Sequence, residues 1–142
     1  MVRTRKRPEE RKAELTEAAR RVFRRKGYAA ASVSDIVREA GVSQGTFYFY
    51  FKDKEAAFDA VAETIVMEGF DVIQEITARG DLTALEKIER TAEFLMAFET
   101  AERWTDESAA RRLSHMRDRV GRIAFRLYLP VVADLIRQGI AE

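Results

Sequence analysis

The chain has 142 residues and a mass of 16.3 kDa, with 46% hydrophobic residues and two prolines, so it folds as one domain, or as a small domain fused to a larger one. The absence of cysteine excludes disulfides and thiolate metal sites, and a single histidine excludes a multi-histidine metal centre within one chain. The net charge of +1 hides an asymmetry: residues 1–54 hold 14 Lys and Arg against 7 Asp and Glu, while residues 55–142 hold 11 against 17. One end therefore faces a polyanion, unless the basic run at 3–7 is only a solvated tail.

In chain order, Pro8 sits where a first helical turn tolerates proline. Leu15, Ala18, Ala19, Val22 and Phe23 then form one apolar stripe, and Arg24, Arg25 and Lys26 crowd the last turn before Gly27. A helix over about 9–26 follows, with Tyr28 folding back onto it. Ser32 to Asp35 reads as a capping box. Val33, Ile36, Val37 and Ala40 give the next helix, about 33–40, its apolar face, and Gly41 supplies a left-handed stop. Ser43 caps a third helix, about 44–50. This spacing is helix-turn-helix grammar over residues 32–51, in which the second helix enters a DNA major groove.

A fourth helix runs from Lys54 to about Thr77, with Phe58, Val61, Ala62, Ile65, Val66, Phe70 and Ile73 on its buried side and Gly69 within it. A fifth, about 83–102, is expected to bury Leu85, Ile88, Ala92, Leu95 and Met96. A short sixth is expected over about 107–116. A seventh follows from about Asp118 with Val120, Ile123, Ala124, Leu127, Val131 and Leu135 inward, and Pro130 kinks or divides it. No segment has strand periodicity. The fold class is all-α, with a three-helix head over 1–53 and a larger helical bundle over 54–142.

The continuous stretch from the first helix ending in Lys26-Gly27-Tyr28 to Phe58 resembles the TetR family of transcriptional regulators. Ile36, Ala40-Gly41-Val42-Ser43, Gly45-Thr46, Tyr48, Phe51 and Lys54-Glu55 stand at that family's spacing. The remainder resembles the family's diverse ligand-binding part more loosely. Two departures stand out: Ala56-Ala57 replaces the usual leucine after the Lys-Glu pair, and the chain stops at Glu142, where family members continue into two helices that pair with a second subunit. The expectation is a bundle truncated at its C-terminus, or dimerisation through another surface.

The resemblance implies that Tyr48 and Lys54 clamp phosphates. Gln44, Thr46 and Tyr50 are candidates for base edges: glutamine bonds adenine bidentately and a threonine methyl meets that of thymine. Ser43 caps the reading helix. Gly45 either lets the backbone approach DNA or relieves crowding. Ser34 and Arg38 reach phosphates or simply face solvent, and Lys6 and Arg7 reach an adjacent minor groove or stay disordered without DNA. Phe47 and Phe51, four apart, pack inward rather than stack on bases; Phe49 falls off that face. In the acidic part the resemblance implies an effector pocket, with Phe70, Phe94, Phe98, Trp104, His115, Phe125 and Tyr128 as candidate lining, although each taken singly reads more readily as ordinary core and His115 as a surface or capping residue.

The expected function is a sequence-specific regulator, a repressor released from a palindromic double-stranded DNA operator by a small-molecule effector, acting as a homodimer in the cytoplasm without cofactor, metal or membrane. An enzyme would need a nucleophile–base pair or metal ligands at recognisable spacing, and none is legible. The alternative is a helical interaction module that has lost DNA binding.

Overall fold

A computed structural model describes residues 7–101 and 114–142, with side chains over 7–97 and 121–142. The described residues form six helices and no strand: α1 (Pro8–Lys26), α2 (Val33–Ala40), α3 (Gln44–Tyr50), α4 (Lys54–Ala78), α5 (Ala84–Ala101) and α6 (Ser114–Ala141). They fall into two compact units, the first ending at Ala62 and the second starting at Glu63, so α4 contributes to both.

In the first unit the local signals act as read. Gly27 ends α1 at φ 76°, with its N–H donating to Phe23 O. Ser32 Oγ accepts from Asp35 N at 3.1 Å while the Asp35 carboxylate accepts from Ser32 N at 3.0 Å, closing the capping box of α2. Gly41 adopts the left-handed conformation at φ +66°, and its N–H and that of Val42 close the helix end on Arg38 O and Val37 O. The core gathers Leu15, Ala18, Ala19, Val22 and Phe23 from α1, Ile36 from α2, Phe47 and Phe51 from α3 and its end, and Ala57, Phe58 and Val61 from α4. Phe23, Tyr28 and Phe58 form a ring cluster with centroids 5.2–5.6 Å apart, so Tyr28 does fold back onto α1.

The second unit departs from expectation in α5. Leu85, Ile88, Ala92 and Met96 are exposed and Leu95 is half-buried; the buried positions are Ala84, Lys87 and Thr91. The helices come close at one point, where a Cβ added to Gly139 of α6 would lie 3.2 Å from Ala84 Cβ, so small residues meet there. On α6, Leu135 is buried and Ile123, Ala124, Leu127 and Val131 are half-buried, as the pattern required. Val120 lies outside the described side chains. The outer side of α6 carries Phe125, Leu129, Val132, Ile136 and Ile140. Pro130 does not divide the helix; Pro130 and Arg126, whose carbonyl it deprives of a donor, are both exposed, so the missing bond is not buried. The separate helix expected over 107–116 lies largely outside the described residues, and 114–116 belong to α6.

Candidate nucleic-acid interface

The reading element is built from the inside outwards. Phe47 is fully buried and Phe51 nearly so, their rings 5.5 Å apart, and these two anchors fix the rotation of α3. Lys12 of α1 reaches over the Phe51 ring at 5.9 Å. With that face spent inward, Ser43, Gln44, Gly45, Tyr48 and Phe49 are exposed, and Thr46 and Tyr50 are half-exposed. Ser43 Oγ accepts from Thr46 N at 3.1 Å and lies 3.0 Å from Thr46 Oγ1, so the hydroxyl that caps α3 also orients the threonine. Gln44 Nε2 donates to Ser34 Oγ at 3.1 Å, linking two predicted contact residues across the turn. Gly45 has open space around it: an added Cβ would meet only Ser43 Oγ, at 3.8 Å.

The frame behind this face is held by ion pairs. Glu39 of α2 accepts from Arg21 Nε at 2.8 Å and Arg25 Nη2 at 3.2 Å, both on α1. Lys26 Nζ donates to Asp35 Oδ1 at 2.7 Å. The Lys26 ammonium, helped by the Ser32 hydroxyl and amide, holds the Asp35 carboxyl down at about 2, below the ordinary 3.8. The arginines Arg21 and Arg25 likewise lower Glu39.

Lys54, predicted as a phosphate contact, opens α4 and is half-buried. Its ammonium donates to Tyr28 O at 2.8 Å and Ala31 O at 2.9 Å and lies 4.3 Å from the centre of the Tyr28 ring, so it ties the start of α4 to the α1–α2 loop. Arg7 precedes α1, with its guanidinium on Glu10 at 2.7 and 2.9 Å. Lys6 lies outside the described residues. Sequence reasoning passed over Lys52, whose exposed ammonium lies 4.0 Å from the Asp53 carboxylate, and left open Phe49, which is 77% exposed with its ring edge-on to Tyr50 at 4.9 Å. The one-residue offset from the Phe47–Phe51 face was the signal for Phe49.

Comparison with known proteins identifies this head. Residues 15–61 match the family described as bacterial regulatory proteins, tetR family. Over those residues the head is similar to that family. It is 45% identical over 60 residues to the uncharacterised HTH-type transcriptional regulator YvdT of Bacillus subtilis, a match covering 42% of this chain but only 31% of that protein, so less than a third of the relative's length is represented. Beyond those residues the likeness is one of fold. The fatty acid degradation regulator FadR of Bacillus halodurans superposes with a TM-score of 0.71 at 23% identity, over 96% of this chain and 70% of that one. FadR of Bacillus subtilis, solved in complex with stearoyl-CoA, gives 0.66 at 22% identity over 91% and 70%.

Of the residues predicted to line an effector pocket, the second unit brings together Phe70 and Tyr128, stacked at 6.0 Å and 7°, with the Tyr128 hydroxyl donating to Val66 O at 3.1 Å. Burial raises the Tyr128 phenol above its ordinary value. Phe94 is half-buried on α5. Phe125 is corrected: it is 64% exposed on the outer side of α6, because it follows Ala124 by one position, about 100° round a helix whose inward line runs through Ala124, Tyr128 and Val131. Trp104 and the side chains of Phe98 and His115 lie outside those described. Among the described residues no group of acidic, histidine or cysteine side chains is arranged to hold a metal, and no helix is long and apolar enough to cross a membrane.

Proposed function

We propose that this protein is a sequence-specific DNA-binding transcriptional regulator of the tetR type, a repressor that a small molecule releases from its operator. One observation carries the reading. The outer face of α3 is polar and aromatic (Ser43, Gln44, Thr46, Tyr48, Tyr50) and is locked in rotation by Phe47 and Phe51 beneath it. Such a short, rigid, outward-facing helix after a tight turn suits a major groove. Gln44, Thr46 and Tyr50 meet base edges; Tyr48, Lys54 and Ser34 meet phosphates; Lys6 and Arg7 follow the backbone into the neighbouring minor groove. Two subunits present their heads to half-sites about 34–36 Å apart on a palindromic operator. The second unit takes the effector, a role supported by the stearoyl-CoA complex of a protein with this fold. The protein acts by binding rather than turnover, in the cytoplasm, where its DNA is.

Mobility shift with the DNA upstream of the protein's own gene tests this. Retardation at about 50 mM salt is expected, weakening steeply by about 200 mM as the entropy gained by releasing counterions shrinks. Gln44→Ala is expected to lose about 1–3 kcal/mol of discrimination at one base pair and little elsewhere. Tyr48→Phe should weaken all sequences alike. Absence of any retardation at the lower salt refutes the reading.

A further inference from the structure

Two buried polar side chains of α5 have hydrogen-bonding capacity that the fold leaves unfilled. Lys87 is only 5% exposed, yet among the described residues its ammonium has one acceptor, the neutral Gln138 Oε1 at 3.1 Å. A buried cation with two of three donors idle is unfavourable unless something else completes its shell. Thr91, one helical turn further along the same face, is 6% exposed, and its Oγ1 has no hydrogen-bond partner. A helical threonine ordinarily has an acceptor one turn back, and Thr16 uses it, donating to Lys12 O at 2.9 Å. The Thr91 hydroxyl does not donate to the corresponding carbonyl, that of Lys87. The nearby carboxylate, Glu142, is occupied: its oxygens accept from Ala84 N at 3.1 and 3.2 Å and from Gln138 Nε2 at 2.7 Å.

We infer that the second unit binds an organic carboxylate, one oxygen accepting from the Lys87 ammonium and the other from the Thr91 hydroxyl. A monoanion matches a single cation plus a neutral donor; a phosphate dianion would be left half-neutralised in an apolar surrounding. Its apolar body has company in the same unit from the stacked Phe70 and Tyr128. The inference rests on the effector reading above only for its consequence at DNA, since the site itself is defined by Lys87 and Thr91.

The test is calorimetric titration of the 142-residue chain, without DNA, using sodium octanoate and sodium benzoate as probes and 1-octanol and benzyl alcohol as uncharged matches. At least one carboxylate should bind at least about tenfold tighter than its alcohol. Lys87→Met should weaken the carboxylate by about 10- to 100-fold, and Thr91→Val by about 5-fold, with alcohol binding unchanged in both. Thr91→Val breaks no bond of the free protein, so it reports even if Lys87→Met fails to fold. Carboxylates that bind no better than the alcohols, or that bind Thr91→Val as tightly as wild type, overturn the site. Carboxylate binding that depends on both residues but leaves the operator mobility shift unchanged sustains the site and removes instead the effector part of the proposed function.

Discussion

Replacing Lys54 with methionine keeps the aliphatic stem and removes the ammonium that ties α4 to the α1–α2 loop. Lost together are two hydrogen bonds from a charged donor, at 2.8 and 2.9 Å, and a cation–ring contact at 4.3 Å. Fully sheltered, each such bond contributes about 1.5–3 kcal/mol. Lys54 is only half-buried, so water reaches the vacated carbonyls of Tyr28 and Ala31, and the pair together is expected to contribute about 2 kcal/mol. The ring contact adds about 0.5 kcal/mol. For a chain of this size that total lowers Tm by about 5–10 °C. Melting followed by circular dichroism, with urea denaturation alongside, gives the number. A second readout separates structure from recognition: the slope of log K for DNA against log salt should fall by about 0.9 if the same ammonium also meets a phosphate. A melting point within about 1 °C of wild type would refute the tie; an unchanged slope would take Lys54 out of the phosphate contacts and leave it a purely positioning residue.

Phe47→Ala removes a fully buried ring from beneath α3 and should destabilise by about 3–5 kcal/mol, seen in urea, with loss of DNA retardation as the helix loses its fixed rotation. Gly41→Ala meets no neighbouring atom but forces an L side chain to φ +66°; about 1 kcal/mol of destabilisation is expected, and less for Gly41→Asn. Gly139→Leu should destabilise by about 1–3 kcal/mol, because Ala84 Cβ already stands 3.2 Å from where the first added carbon would be. Acid should weaken the first unit through Asp35. Its carboxyl titrates at about 2 when folded against an ordinary 3.8, so the ionised partner's stabilisation is complete above about pH 4 and is lost as pH falls towards 2. Asp35→Asn should flatten that part of an acid melting profile, and a profile identical to wild type would exclude the Lys26–Asp35 pair as its origin.

The head was legible because its instructions are local. Ser32 and Asp35 satisfy each other's end of α2, Gly41 takes the conformation that other residues resist, and Ser43 caps α3; each acts over three or four residues of sequence. The same holds for Phe47 and Phe51, whose spacing declares the shared inner face. The position of Lys54 was legible but its partners were not, since Tyr28 and Ala31 lie more than twenty residues away and offer only backbone carbonyls. The phase of α5 was misread for a related reason. Periodicity points large apolar residues inward, and Leu85, Ile88 and Met96 satisfy it on paper. The seam with α6 is instead set by the approach of Ala84 to Gly139, and the buried places beside it go to the stem of Lys87 and to Thr91. Nothing in the helix's own sequence records how near its neighbour will come.

The outer sides of α5 and α6 leave Leu85, Ile88 and Met96, and Phe125, Leu129, Val132, Ile136 and Ile140, facing water. Scattered singly such side chains are unremarkable, but aligned along two adjacent helices they make an oily surface. In practice that governs how the isolated polypeptide behaves in a tube: it will brighten solvatochromic dyes while fully folded, linger on phenyl resins, and turn cloudy at concentrations a polar-coated bundle of equal size tolerates.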